Sequence, residues 1–111
     1  MAEGSQLSDD TFEQEVIRSP IPVLIDFWAP WCGPCRMLSP VVEELAKDYS
    51  GRVKVAKMNT DEYPAAALRY KISAIPTLLF LKNGKVVDQM VGAHPKAEIK
   101  KRLDNLIESN S

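Results

Sequence analysis

Two cysteines, Cys32 and Cys35, are the residues of this 111-residue chain that are best placed to do chemistry. They are its only cysteines, and just Gly33 and Pro34 separate them. A disulfide that closes so short a loop removes little conformational entropy from the unfolded chain, so it contributes little stability. A Cys-x-x-Cys pair beside a βαβ pattern is instead typical of thiol–disulfide exchange. We therefore expect redox chemistry at this pair.

The predicted position of the pair gives each thiol a different role. A buried strand over Val23–Trp28 precedes the pair, and a helix begins near Pro34, which suits a first helical turn. A thiolate at a helix N-terminus faces unpaired backbone N–H groups, which lower its pKa and make Cys32 the expected nucleophile. Cys35, one turn further into the helix, is expected to be less exposed and to act as the resolving thiol. Gly33 lets a partner backbone approach closely.

Other interpretations of the pair remain open from the residues alone. The cysteines could be half of a zinc site, although a closed site needs about four ligands and His94 is the one other soft candidate. They could also form a structural disulfide or be inert neighbouring thiols. We expect no metal, and we expect His94 to be solvated without a role, since a lone histidine is seldom a ligand.

Two charged residues interrupt runs that are otherwise strand-like and apolar. Asp26 lies within Val23–Trp28, and Lys57 lies within Val53–Asn59. A buried carboxylate is costly unless it is paired or its pKa is raised, so we expect Asp26 and Lys57 to couple if the two strands are neighbours. A carboxyl group beneath the cysteines could accept the Cys35 proton through water. The alternatives are a purely structural pair, or a Lys57 that reaches solvent at a strand end.

The rest of the pattern predicts the elements that position these residues. Helices and strands alternate at first, and a hairpin and a last helix follow, which together predict an α/β fold with a mixed sheet and helices on both faces. Asn83-Gly84 favours the type I′ turn of the hairpin. The predicted bounds are a helix capped by Ser8 and reaching about Arg18, strand Val23–Trp28, a helix from Pro34 to Tyr49 that Ser50-Gly51 stops, strand Val53–Asn59, a short helix started by Asp61 and Pro64 and reaching about Tyr70, hairpin strands Thr77–Lys82 and Lys85–Val91, and a helix opened by Pro95.

Length and charge narrow the function classes. We expect one domain over residues 1–111, because so short a chain supports a single core. Fourteen Lys and Arg residues against fifteen Asp and Glu residues give a net charge of −1, which leaves no strong positive field for nucleic acid. The longest apolar runs, such as Ile75–Leu81, fall well short of the about 20 residues that a membrane span needs. We expect a monomer in the cytoplasm, or in the plastid stroma if the chain is a processed mature form.

The segment Trp28–Cys35, which contains Trp-Cys-Gly-Pro-Cys, closely resembles the signature of the thioredoxin family. The resemblance runs from about Phe12 to Leu106, and within the family the sequence is similar to the bacterial, cyanobacterial and plastid m-type proteins. Its further motifs are Asp26-Phe27-Trp28-Ala29, Pro40, Lys57, Asp61, Ile75-Pro76-Thr77, Lys82-Asn83-Gly84 and Val91-Gly92-Ala93. The resemblance implies a thioredoxin fold with a central mixed sheet, an active site at its C-terminal edge and a cis peptide before Pro76.

The resemblance also implies a general protein-disulfide reductase that acts in cell redox homeostasis. Cys32 would attack a target disulfide, Cys35 would resolve the mixed disulfide, and the two would end as a disulfide. Asp26 would accept a proton, with Lys57 tuning it. No cofactor is expected, because the chain lacks a nucleotide-binding fingerprint. The implied partners are disulfide-containing target proteins and a thioredoxin reductase that uses NADPH or ferredoxin.

A small apolar rim around Cys32 is the implied substrate-binding surface. Its expected members are Trp31, Gly33, Pro34, Ile75, Pro76, Gly92 and Ala93. Backbone groups of Ile75 would pair with an extended substrate segment, whereas Pro76 could simply be a strand-start residue that lacks a donor. Two alternative functions stay open: a disulfide oxidant or isomerase of the same fold, and a protein-binding module that uses the rim while its thiols are incidental.

Overall fold

A five-stranded mixed sheet lies at the centre of residues 5–108, which are the residues that the computed structural model describes. The strands are β1 (Ser5–Gln6), β2 (Val23–Trp28), β3 (Lys54–Asn59), β4 (Thr77–Lys82) and β5 (Lys85–Val91). The α-helices are α1 (Asp9–Phe12), which continues as a π-helical segment over Glu13–Ile17, α2 (Gly33–Asp48), α3 (Ala65–Arg69) and α4 (Lys96–Glu108).

The order of the strands places the two charged strand residues side by side. The sheet runs β1-β3-β2-β4-β5, with β1, β3 and β2 parallel and with β4 and β5 antiparallel to their neighbours. Asp26 on β2 is in register with Lys57 on β3 and with Leu78 on β4. The predicted α/β class and mixed sheet are therefore confirmed, and β2 and β3 are neighbours, which is the condition set for coupling between Asp26 and Lys57.

Alternation along β2 divides its side chains between two hydrophobic cores. Ile25 and Phe27 pack on the side that includes Phe12, whereas Leu24 packs on the side of α2 and α4. Because successive strand residues point to opposite faces, Asp26 shares the face of Leu24 and lies beneath α2. The helix that carries the cysteines therefore covers the buried carboxyl group.

Local signals explain most of the element ends. Ser8 is the N-cap residue of α1, as predicted, and it forms a capping box with Thr11. Asn83 and Gly84 have φ angles of 54° and 77°, which confirms the predicted hairpin turn. β3 begins one residue later than predicted, because the Val53 N–H donates to Tyr49 O in the turn after α2.

One strand was not predicted. β1 consists of Ser5 and Gln6, which pair with Ala56 and Lys57 at the edge of the sheet. Two polar residues are too few to show a period of two, so no hydrophobic pattern marks this strand. Its position matters because Gln6 borders the functional site described next.

Candidate active site

Cys32 and Cys35 form a disulfide at the N-terminus of α2, with their Cα atoms 5.3 Å apart. Cys32 is the N-cap residue, and its Sγ accepts a hydrogen bond from the Cys35 N–H at 3.2 Å. Pro34 occupies the first turn, where a missing N–H costs nothing. The predicted strand–loop–helix setting of the pair is confirmed.

The two cysteines are almost equally buried in this disulfide form. Cys32 is 4% exposed and Cys35 is 3% exposed, so the disulfide form does not distinguish the two thiols by their exposure, and the lower exposure expected for Cys35 stays a prediction for the reduced protein. Cys32 packs in a small cluster with Ala29 and Cys35, and Trp28 and Ile75 cover this cluster. These neighbours shield the outer sulfur, which sequence spacing alone does not reveal.

The loop before β4 lies over the cysteines. Ile75 O is 3.9 Å from Cys32 Sγ, and the Ile75-Pro76 peptide bond is cis, as the resemblance implied. Pro76 O accepts a hydrogen bond from the Gly92 N–H at 2.8 Å, which ties the loop after β5 to the loop before β4. Three separate segments of the chain thus converge around the disulfide.

The expected rim residues differ in how much surface they present. Trp31 is 68% exposed, and its indole Nε1–H donates to Asp61 Oδ2 at 2.9 Å, a contact that sequence reasoning did not foresee. Pro76 is buried, so it supports the loop more than it adds to the surface. Of the other expected rim members, Pro34 and Ala93 are exposed, and Gly33, Ile75 and Gly92 are partly exposed.

Asp26 lies buried beneath the disulfide, with 2% of its surface exposed. Burial raises the pKa of its carboxyl group to about 7 because desolvation disfavours the charged form, while Lys57 lowers this pKa and Glu43 raises it. Within the part of the chain that the structure describes, Asp26 Oδ1 has no hydrogen-bond partner. A carboxyl group with a pKa near neutrality can both accept and release a proton under physiological conditions.

Lys57 couples to Asp26 through its charge, as predicted, but the ammonium group is bound elsewhere. Lys57 Nζ donates to Ser39 Oγ at 3.0 Å and forms an ion pair with Glu43, and both partners lie on α2. The interpretation of Lys57 as a lysine that reaches solvent at a strand end is wrong, since the residue is buried. Sequence reasoning missed Ser39 and Glu43, although both follow Cys35 at intervals of four residues on one helix face.

A cleft of about 130 Å³ lies beside Asp26, Lys57 and Cys35. It is lined by Gln6, Asp26, Trp28, Cys35, Arg36, Ser39 and Lys57. A water molecule needs only about 10–15 Å³ of such space together with two or more polar partners, so the cleft can hold water beside the buried carboxyl group. Water in this position would link Asp26 with the thiol of a reduced Cys35.

His94, the single histidine of the chain, takes no part in the contacts described above. His94 is partly exposed, and its Nε2 is 2.8 Å from Val91 O. Across residues 5–108, no group of three His, Cys, Asp or Glu side chains is arranged to hold a metal ion. Among the same residues, no helix has the length and apolar character needed to cross a membrane.

Comparisons with known proteins agree with this architecture. The sequence model of the Thioredoxin family matches residues 3–105, a span that contains every site residue described above. Thioredoxin 1 of Nostoc sp. is 54% identical over 104 residues, which cover 94% of this chain and 97% of that protein. Thioredoxin 1 of Synechococcus elongatus is 56% identical, with the same two coverages. The chloroplastic M-type thioredoxin of Pisum sativum is 50% identical over 91% of this chain and 59% of that protein.

Proposed function

The chain belongs to the thioredoxin family, and on that premise we propose how its residues carry out disulfide reduction. The protein is a protein-disulfide reductase, a dithiol–disulfide oxidoreductase that passes electrons to target proteins. The observation that carries the assignment of roles is the Cys32–Cys35 disulfide at the N-terminus of α2, with a buried carboxyl group beneath it.

In the first step, the Cys32 thiolate attacks one sulfur of a target disulfide. A new bond forms between Cys32 Sγ and that sulfur, the target disulfide breaks, and the other target sulfur leaves as a thiolate that takes a proton from water. The Cys35 N–H lies 3.2 Å from Cys32 Sγ, where it can donate a hydrogen bond to the thiolate. The positive end of the helix dipole also stabilises the negative charge, so both features support Cys32 as the nucleophile. Gly33 and Pro34 keep the turn open to the incoming target.

In the second step, Cys35 resolves the mixed disulfide. The ionised Asp26 carboxylate accepts the Cys35 proton through water in the cleft, and the resulting thiolate attacks Cys32 Sγ. The Cys32–target bond breaks, and the second target sulfur leaves as a thiolate. Two electrons have then passed to the target, and the protein is left in the disulfide form seen in the structure. Lys57 tunes Asp26 by favouring its charged form.

The rim residues bind the target in this proposal. Ile75 presents its carbonyl group 3.9 Å from Cys32 Sγ, where an extended target segment can pair with the loop backbone. Trp31 supplies a large exposed apolar side chain beside the cysteines. The other proposed contacts come from Pro76, Gly92 and Ala93. Backbone and apolar contacts of this kind suit many different target proteins.

Family membership implies reductase and disulfide-target partners in general. We propose a thioredoxin reductase as the electron donor, to be tested with NADPH-dependent and ferredoxin-dependent enzymes in parallel. The likeness to cyanobacterial and chloroplastic thioredoxins supports action in the cytoplasm, or in the plastid stroma for a processed form. The family match over residues 3–105 supports a single thioredoxin domain, which we propose to be monomeric and to need no cofactor.

Trapping the mixed disulfide tests the roles of the two cysteines. A Cys35→Ser protein should accumulate a covalent adduct with a disulfide-containing target, because Cys32 can still attack but nothing resolves the bond. A Cys32→Ser protein should form little adduct, and the double variant should form none. These products are counted by mass spectrometry after acid quenching. Equal trapping by the two single variants would contradict the assignment of Cys32 as nucleophile.

A further inference from the structure

The helix face that follows Cys35 carries two polar residues that the reaction steps above leave without a role. Ser39 and Glu43 follow Cys35 at intervals of four, so the three side chains form one row on α2. The Lys57 ammonium contacts the row twice, donating to Ser39 Oγ at 3.0 Å and forming an ion pair with Glu43. The Lys57 side chain is 9% exposed and that of Glu43 is 31% exposed, so the ion pair is buried at its ammonium end and partly exposed at its carboxylate end.

Because the Lys57 ammonium binds Ser39 and Glu43, it is not paired with the Asp26 carboxyl group. Asp26 and Lys57 lie in register on adjacent parallel strands, where an ammonium and a carboxylate attract each other strongly in the low dielectric of the interior. Among the described residues, however, the acidic partner of Lys57 is Glu43, and Asp26 Oδ1 is left without a hydrogen-bond partner. Asp26, Ser39 and Lys57 all line the same cleft, so water in the cleft would lie beside the Asp26 carboxyl group.

We propose that Glu43 and Ser39 are positioning residues of the disulfide-exchange site, which hold the Lys57 ammonium away from Asp26 and so keep the Asp26 carboxyl group available to exchange a proton with water. The inference rests on the proposed function, because it gives a purpose to the proton chemistry of Asp26. It adds two residues that act on the reaction through Lys57 and Asp26.

The charges around Asp26 indicate the direction of the effect. The groups that face it are Lys57 from β3, Glu43, Arg36 and Cys35 from α2, and the uncharged Gln6 from β1 and Leu78 from β4. Glu43 raises the pKa of Asp26 by its own charge, and it also holds the ammonium that lowers this pKa. Removing the Glu43 charge therefore lowers the pKa of Asp26 in two ways, by ending a repulsion and by freeing Lys57.

The test is an NMR titration of the Asp26 carboxyl carbon in the oxidised full-length protein. Glu43→Gln, which keeps the side-chain shape, should lower the midpoint by roughly one pH unit. Ser39→Ala should lower it less, and Ser39→Thr should restore it because the hydroxyl group is retained. Glu44→Gln is the matched control, since Glu44 is exposed and pairs with Lys96 instead. An unchanged midpoint in a folded Glu43→Gln protein would overturn the proposal.

The titration separates this inference from the proposed function, because it requires no turnover. A midpoint that falls in Glu43→Gln, together with a matching shift in the pH profile of mixed-disulfide resolution, supports both. A midpoint that falls while the resolution profile stays fixed supports the positioning of Lys57 and contradicts Asp26 as the proton acceptor. A fixed midpoint contradicts the positioning, whatever the resolution rate.

Discussion

Asp26 on β2 lies directly opposite Lys57 on β3, yet the two charged groups do not bind each other among the described residues. The carboxyl group stays buried with one oxygen unpaired, while the ammonium binds Glu43 and Ser39. This arrangement leaves Asp26 with a pKa of about 7, mainly because burial disfavours its charged form. The protein thus carries an ionisable group that costs stability when charged and that is placed to serve the thiols.

The first prediction concerns stability and pH. Because the pKa of Asp26 is about 7 in the folded protein and the ordinary value of an aspartate carboxyl group is 3.8, the unfolded chain loses this proton first as the pH rises. The contribution of Asp26 to the free energy of unfolding is thus most favourable below pH 3.8. It declines between pH 3.8 and about pH 7 and is constant above that. At 1.36 kcal/mol per pH unit, the loss is about 4 kcal/mol.

The measurement is the free energy of unfolding of the oxidised protein and of Asp26→Asn, by guanidinium chloride titration from pH 4 to pH 8.5. Comparing the two proteins cancels the other carboxyl groups. The variant should gain stability relative to the parent as the pH rises to about 7, and the difference should then be constant. A difference that does not change with pH would contradict the raised pKa.

The second prediction concerns the rate of resolution. In the parent protein the rate at which Cys35 releases the target should rise through about pH 7, as Asp26 becomes able to accept a proton. Asp26→Ala should lower this rate at neutral pH by tenfold or more and remove the inflection near pH 7, since general base catalysis typically contributes about 10²–10⁴-fold. Rapid-quench kinetics of the mixed disulfide that forms in a single turnover, with Cys35 present in both proteins, measure it directly. Unaltered turnover across this pH range would remove Asp26 from the mechanism.

The third prediction concerns redox poise. Equilibration of the Cys32–Cys35 pair against glutathione should give a reduction potential near about −270 mV, a value already established for thioredoxins as a class. A potential of about −120 to −180 mV, as oxidants and isomerases show, would indicate disulfide formation or shuffling instead. The fraction of disulfide at each buffer ratio is counted after alkylation of the free thiols.

The sequence predicted the fold and the reacting cysteines well, because both depend on local pattern. A short stretch of sequence was enough for each of these predictions. Strand β2 follows from the apolar run Val23–Trp28, the hairpin turn from Asn83-Gly84, and the redox pair from the cysteine spacing. The partners of Lys57 could not be predicted in the same way, because they depend on how α2 is rotated about its axis against β3. The row formed by Ser39 and Glu43 becomes meaningful only when that packing is known.

The fourth prediction concerns the hairpin turn. Gly84 has a φ of 77°, and a Cβ added to it would lie 2.8 Å from Ile17 O, so Gly84→Ala meets both backbone strain and a clash with backbone. Gly51 is the matched control, because its φ is 86° but nothing lies within 4 Å of an added Cβ. Strain alone costs about 1–3 kcal/mol, so Gly84→Ala should lose more unfolding free energy than Gly51→Ala. If denaturant titrations give equal losses of unfolding free energy for the two variants, Ile17 moves away from the added Cβ without destabilising the protein.

The fifth prediction concerns target binding. Trp31 is exposed and its indole is held by Asp61, so it is already oriented for contact when a target arrives. Trp31→Ala should raise the KM for a protein target by roughly tenfold, as an exposed aromatic anchor does, with little change in kcat. Trp31→Phe, which keeps a ring but loses the Asp61 hydrogen bond, should have a smaller effect.

A small soluble disulfide separates binding from chemistry in this experiment. It cannot reach across the rim, so its reduction rate should be nearly the same in the parent and in Trp31→Ala. Val87→Ala is the control for loss of exposed apolar surface, because Val87 is 51% exposed on β5, away from the strand end at Val91 that joins the Gly92 loop. An equal loss for the small disulfide would place Trp31 in the chemistry of Cys32, and an equal loss in Val87→Ala would mean that general surface hydrophobicity, not the rim, binds the target.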